Sequence, residues 1–481
     1  MAITPRPRQS AERHKIPFGV KLGYGIGTLS YAIPFQLLSG FFLFYCTTVL
    51  GVSGILTGTL ISVSTIWDAV TDPVMGYISD HTHKRILFGR RLFYIFIGAI
   101  GLAIVNYFIW SVDPQLRGGD PGTVKAIWIA VLLILLKTFS TIYTTPYLAL
   151  GAELSSDYNE RNTVQSFRTA FFFLGFLFPS VLGMAFFFRP TAAYPDGKAN
   201  PEAYAALGLT ASAITLVCAA VCLILTYKHR CVETVPRVKR NPIVGLFREI
   251  AEALKVSDFR NISFALMFIN MAMGIVSAVG MHVFTYTFGL SSGQIAFVFG
   301  ALFLTALLAQ PVWVMVANKY DKRGALVFCL YMNLAVSALF IGYVLAHAWI
   351  GTHYLIVLPL AMLIGFSMGG SVALPYSMIS DTIDKDAYES GTRKEGIFYG
   401  CATFMYKLSQ SLAVFFVGTL LDVIGFNANQ TQAPSVYLQV GMILPVGFLI
   451  CFALALILTK RYRLNRESVQ KYQSGYHPRQ R

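Results

Sequence analysis

Asp68 and Asp72 stand four residues apart in "WDAVTDPVMGYISD" (67–80), inside a stretch from Ile55 to Ile78 that is otherwise apolar. That spacing puts both carboxylates on one face of a helix, about 6 Å from each other. Charge is costly in hydrocarbon, so such groups face a cavity or a partner. Two carboxylates one turn apart offer a hard cation such as Na⁺ both charge and oxygen ligands. Without a cation, their repulsion would push one of them to take a proton. The pair is therefore expected to hold Na⁺ or H⁺; the alternative is an ion pair with an interior Lys or Arg. Thr141, in "KTFSTIYTTPY" (137–147), offers a third oxygen. Lys137 lies one turn before it on the same face. Its ammonium would compete with Na⁺ for the aspartates, lock one conformation of the empty protein, or simply reach out to the membrane interface.

Arg168 and Lys407 come from opposite halves of the chain. Two cations facing one cavity favour a substrate with carboxylate, phosphate or many hydroxyls. The competing role for either is neutralising Asp68 or Asp72.

These side chains need spanning elements to hold them, and the composition supplies them. Of 481 residues, 55% are hydrophobic and 13% charged, whereas a soluble domain carries about 25% charged residues. The apolar residues come in blocks of about 20, the length that crosses a bilayer core. Twelve spans are predicted: 22–48, 55–79, 91–111, 124–150, 164–188, 205–227, 262–288, 293–317, 325–347, 354–380, 396–421 and 437–459. The expected class is an all-α membrane protein. The net charge of +15 falls in short runs between spans, such as "NKYDKRG" (318–324) and "KRYRLNR" (460–466). This is the positive-inside pattern, with both termini cytoplasmic, and no nucleic-acid partner is implied. The partners expected are the lipid bilayer, a coupling cation and a small-molecule substrate, in a monomer.

The polar stretch 228–261 divides the chain into an N-terminal half (1–227) and a C-terminal half (262–460), with a cytoplasmic tail at 461–481. Internal repetition supports the division. "TDPVMGYISDHTHKR" (71–85) aligns with "AQPVWVMVANKYDKR" (309–323), Pro73 opposite Pro311. Pro146-Tyr147 aligns with Pro375-Tyr376 near the ends of the fourth span of each half. Gln310 stands where Asp72 does, so the carboxylate pair belongs to the first half alone. The mixed-charge segments 151–168 and 380–396 are expected as loops at corresponding span ends, either a gate of charged pairs or plain solvated loops. "NQT" (429–431) is a glycosylation sequon. The seven cysteines show no metal spacing, and neither a P-loop lysine signature nor a His/Cys metal cluster is present, so no enzyme and no cofactor is expected.

"WDAVTDPVMGYISD", "TPYLALGAELSSDYNERNTVQSFR" and "LPYSMISDTIDKDAYESGTRKEGIFYG" together resemble the glycoside–pentoside–hexuronide:cation symporters, the melibiose permease group. The likeness runs from about Lys21 to Arg463. It implies the major facilitator fold, two pseudo-symmetric six-helix halves with the substrate between them, and cation-coupled alternating access. It implies that Asp68, Asp72 and Thr141 bind the cation and that Arg168 and Lys407 belong to the substrate region. Thr144, Tyr147 and Tyr376 are further substrate candidates. The departures matter as well: the sugar-binding aspartates of that group are replaced by Ala32 and Thr144, and its stacking tryptophan by Leu148. Sodium-dependent lysophosphatidylcholine carriers share "WDA-TDP" and a lysine at Lys407. The substrate implied is thus a glycoside, hexuronide or related polar solute, or alternatively a lysophospholipid or other anionic amphiphile, in a bacterial inner membrane.

Overall fold

A computed structural model describes residues 16–82, 89–112, 122–154, 158–229, 250–350, 354–391, 395–428, 430 and 432–474. Among the described residues, twelve helices are long and apolar enough to span a membrane: α1 Phe18–Val49, α2 Gly54–Ser79, α3 Arg91–Trp110, α4 Thr123–Gly151, α5 Thr163–Phe186, α6 Pro201–Thr226, α7 Ser257–Thr287, α8 Ser292–Tyr320, α9 Lys322–Leu345, α10 Tyr354–Ser390, α11 Ile397–Val423 and α12 Pro434–Arg461. Each overlaps one predicted span. Large apolar side chains such as Ile224, Phe297 and Val423 stay more than two-thirds exposed, which suits lipid and not water.

One difference from the predicted boundaries has a clear cause. Helix α10 continues through "SDTIDKDAYES" instead of ending near 380. Its polar residues find partners there, and Gly391 in the left-handed conformation ends it. The basic stretches at 1–15, 83–88 and 230–249, the sequon residues 429 and 431, and the centres of both expected gate loops (155–157 and 392–394) lie outside the described residues.

The repeat seen in sequence is repeated in space. Within the N-terminal six, α1 packs on α5 and α6, α3 on α4 and α6, and α2 on α4. Within the C-terminal six, α7 packs on α11 and α12, α9 on α10 and α12, and α8 on α10. Both α1 and α7 end in a widened π-type turn, followed by a glycine with positive φ, Gly51 (64°) and Gly289 (66°). A serine then caps the next helix: Ser53 accepts from Leu56 N, and Ser291 from Gln294 N. Glycine suits both positions because φ > 0 crowds any Cβ.

Across the halves, α1 meets α7, α2 meets α11 and α5 meets α8. The crossing hydrogen bonds cluster between the level of Asp72 and the end of the molecule away from the chain termini, here the far face. Thr47 meets His282 Nε2 at 2.9 Å, and Lys198 Nζ donates to Leu290 O at 3.0 Å. Gly54 N and Ile55 N both donate to Asp422. At the opposite, near face, α13 (Arg466–Ser474) follows α12 and packs along α10, with Tyr388 and Tyr472 rings 5.3 Å apart. Around it Asp258 of α7 accepts from Lys385 Nζ of α10 (2.8 Å) and from Arg463 N (2.9 Å). Lys322 of α9 donates to Asp381 of α10 (2.6 Å), and Arg323 to Lys460 O (2.8 Å).

Candidate functional site

Helix α2 carries Asp68 and Asp72 towards α4 and α11. Thr141 Oγ1 of α4 lies 2.7 Å from Asp68 Oδ1 and 3.0 Å from Asp72 Oδ1. Lys407 Nζ of α11 lies 2.7 Å from Asp68 Oδ2 and 2.5 Å from Asp72 Oδ2. Each carboxylate oxygen thus has one partner, a hydroxyl on one side and an ammonium on the other. Asp68 and Thr141 are buried, and the Asp72 side chain keeps 31% of its surface exposed. The pair is therefore reached from the Asp72 side.

Lys407 does not stand free towards a substrate: it is held by both aspartates, which is the ion-pair alternative. Its ammonium bridges the two Oδ2 atoms, one place where a cation could use both carboxylates. A cation there and Lys407 are mutually exclusive. Lys137 is also buried, within electrostatic reach of Asp68, Asp72 and Lys407. It does not reach out to an interface, because helix α4 continues for several turns on either side of it. Thr71, which the sequence reading does not single out, donates to Asp68 O and lies 3.4 Å from the Thr141 hydroxyl. Its position one residue before Asp72 is the one local signal for it.

Arg168 of α5 sits apart from this cluster. It lies against Tyr31 of α1 and within electrostatic reach of Tyr24 and of Tyr376 of α10, so both halves meet around it. Its Nε is buried with no hydrogen-bond partner among the described residues. An unmet buried donor costs on the order of 1–3 kcal/mol, a demand that an anionic or hydroxyl-bearing ligand would meet. An aromatic wall leads away from it: Tyr31 to Phe172 (6.0 Å between centroids), Phe172 to Phe176 (4.8 Å), Phe35 to Phe176 (5.8 Å) and Phe176 to Phe303 of α8 (6.1 Å). No periodicity singles these rings out among 38 phenylalanines.

Tyr147 is misplaced as a substrate contact. It is fully buried, its ring stacks on Tyr24 at 4.5 Å and on Tyr143, and its hydroxyl bonds Thr28 Oγ1 and Tyr24 O. It supports the wall from behind because α1 and α4 need a flat filler between them. Thr144 and Tyr376 are half-buried, and Leu148 is 43% exposed. Ala32 is fully buried against Gly175, where a Cβ would come within 2.6 Å, so this position brings α1 and α5 close together. The repeat has a local counterpart too. Gln310, opposite Asp72 in the repeat, donates to Gly369 O of α10, an uncharged version of the α2–α4 contact.

The family model of MFS/sugar transport proteins matches residues 23–466. The isoprimeverose transporter of Lactiplantibacillus pentosus is 25% identical, with 89% of this chain and 85% of that protein covered. The sodium-dependent lysophosphatidylcholine symporter 1-A of Danio rerio is 21% identical, covering 96% of this chain and 88% of that protein. A bacterial homologue of the human lysosomal transporter Spinster, solved inward-facing and unoccupied, superimposes with a TM-score of 0.64 at 12% identity, covering 96% of this chain and 98% of that one. That likeness gives the fold, which is the major facilitator fold. With twelve helices among the described residues long and apolar enough to span a membrane, a charged cluster where its halves meet and a family match over nearly all its length, the chain belongs to the MFS/sugar transport protein family and is a symporter of the major facilitator type.

Proposed function

We propose that the protein moves a glycoside, hexuronide or related polar solute across a bacterial inner membrane together with Na⁺ or H⁺, by alternating access, with both termini in the cytoplasm. The observation that carries this is the cluster of Asp68, Asp72, Thr141 and Lys407. Lys407 belongs to the C-terminal half and neutralises carboxylates of the N-terminal half. A coupling cation at the carboxylates replaces it. The released ammonium then faces the cavity, where Arg168 already waits with an unmet donor. Cation first and anionic or hydroxyl-rich substrate second is the order this favours. Thr141, with Thr71 beside it, supplies neutral oxygens for the cation, while Tyr376, Thr144 and Arg168 take the substrate.

The aromatic wall favours a second substrate class. Phe35, Phe172, Phe176 and Phe303 suit a lysophospholipid or other anionic amphiphile at least as well as a sugar, since rings offer apolar surface and no carboxylate to accept hydroxyl pairs. Thermal-shift measurements with glycosides, uronides and lysolipids, with and without Na⁺, separate the two. At about 100-fold above Kd the cognate class stabilises by about 2.7 kcal/mol. Uptake of that ligand into proteoliposomes tests the coupling: Asp72→Asn is expected to abolish the response to Na⁺ and pH gradients. Uptake driven by either gradient in that variant at the wild-type rate would refute the assignment.

A further inference from the structure

Asp422, in the last turn of α11, is not part of the cation or substrate site, yet it makes an unusual contact. Its two oxygens accept from Gly54 N and Ile55 N, each at 2.8 Å, at the start of α2 in the other half. The first turn of a helix leaves its N–H groups without partners and attracts negative charge. Ser53 already takes Leu56 N, so Asp422 completes the turn from across the interface. From there α2 and α11 run against each other without bulky side chains between them. A Cβ on Gly54 would lie 2.4 Å from Gly418 O, one on Gly418 2.2 Å from Gly54 O, and one on Gly58 3.0 Å from Val414 O. Ser62 Oγ then donates to Ser411 O at 2.8 Å. The seam ends at Lys407 on Asp68 and Asp72. Gly54 to Asp72 is about 18 residues of helix, or about 27 Å.

We propose that Asp422 is the latch of the far face, a positioning residue that holds the two halves together there and is tied through the α2–α11 seam to the occupancy of the Asp68–Asp72 site. The proposal rests on the alternating-access reading, because only there must the seam part. Both ends of the seam are charge-assisted contacts between halves, and both must release for the far face to open. A cation that displaces Lys407 removes one of them and so favours opening. By reciprocity, weakening the latch raises the affinity for that cation.

The test is made on the full-length protein in detergent, without substrate. A Ser411→Cys reporter, at a site now only 4% exposed, is labelled with a bulky maleimide and the labelled peptides are quantified. Native Cys222 and Cys329, both fully buried within single halves, serve as internal controls. Asp422→Asn keeps one acceptor and removes the charge, and on the order of a tenfold faster labelling of the reporter thiol is expected, with Cys222 and Cys329 unchanged. Gly418→Ala, whose Cβ would meet Gly54 O at 2.2 Å and not Asp422, wedges the same contact and should reproduce it. In the Asp422→Asn variant, NaCl or acid titrations followed by labelling should show a several-fold lower midpoint. Equal labelling of the reporter thiol in both variants and the parent overturns the latch, and a parallel rise at the reporter and both native cysteines shows general loosening and overturns it too. Labelling needs no transport, so a failed uptake assay leaves this outcome readable.

Discussion

Replacing Lys407 by methionine keeps the length of its stem and removes its ammonium. The Lys407 and Asp68 side chains are 15% and 12% exposed and Asp72 31%, so the pair is largely but not wholly dry. Removing one partner of a buried pair costs about 3–5 kcal/mol. The access of Asp72 to solvent reduces that, and about 2–4 kcal/mol is expected for Lys407→Met. At no more than about 2–4 °C per kcal/mol, the melting temperature in detergent should fall by several degrees in Na⁺-free buffer at about pH 8. The loss has a particular signature: two carboxylates left without their ammonium should be rescued by whichever cation the carrier uses. A NaCl series and a pH series distinguish the candidates, and saturating cation should restore about 2.7 kcal/mol at about 100-fold above its Kd. The wild-type protein, in which Lys407 fills the place, should respond less. A Lys407→Met variant as stable as the parent, or one indifferent to both Na⁺ and pH, would refute the claim that the ammonium stands in for the coupling ion.

Arg168→Ala should leave the thermal response to cation intact while weakening substrate binding by about tenfold or more, measured as the loss of ligand-induced stabilisation. An unchanged ligand shift would remove Arg168 from the substrate site. Lys198, in the far-face loop, tests burial directly. Its side chain is almost fully buried, and desolvation lowers its pKa from the ordinary 10.5 despite Asp196 beside it. The folded protein binds this proton less tightly than the unfolded chain, so stability rises with pH in the window below 10.5. Lys198→Met should flatten that alkaline rise in melting temperature, and an identical slope in the variant would exclude the effect.

Much of the fold was legible because a bilayer demands long apolar blocks, and every predicted span overlaps an observed helix. The extension of α10 to Ser390 was not legible, since its polar sequence reads as a loop until Lys322, Asp258 and α13 supply partners. Asp68 and Asp72 stand out by charge and spacing and Thr141 by the family resemblance, and the three converge within hydrogen-bond distance. Lys407 stands out too, but its contact with the aspartates does not, because nothing local tells which partner a side chain will meet across a separation of 335 residues. Tyr147 misleads for the same reason: a Pro-Tyr motif repeated in both halves marks equivalent places, not equivalent exposure. Asp422 escapes notice because a lone acid after an apolar block reads as a span end, and its partner is a pair of backbone amides that carry no sequence signature.

The near-face ties of the C-terminal half have a mechanical consequence. Asp258 joins α7, α10 and the chain after α12, while Lys322 and Arg323 join α9 to α10 and α12. Four helices of the C-terminal half are thereby lashed together at the near face. Under the alternating access proposed above, the near-face ends of α7, α9, α10 and α12 then move as one body. The reference point for a fluorescent reporter of that motion therefore belongs on one of these four helices, with its counterpart on α2 or α5.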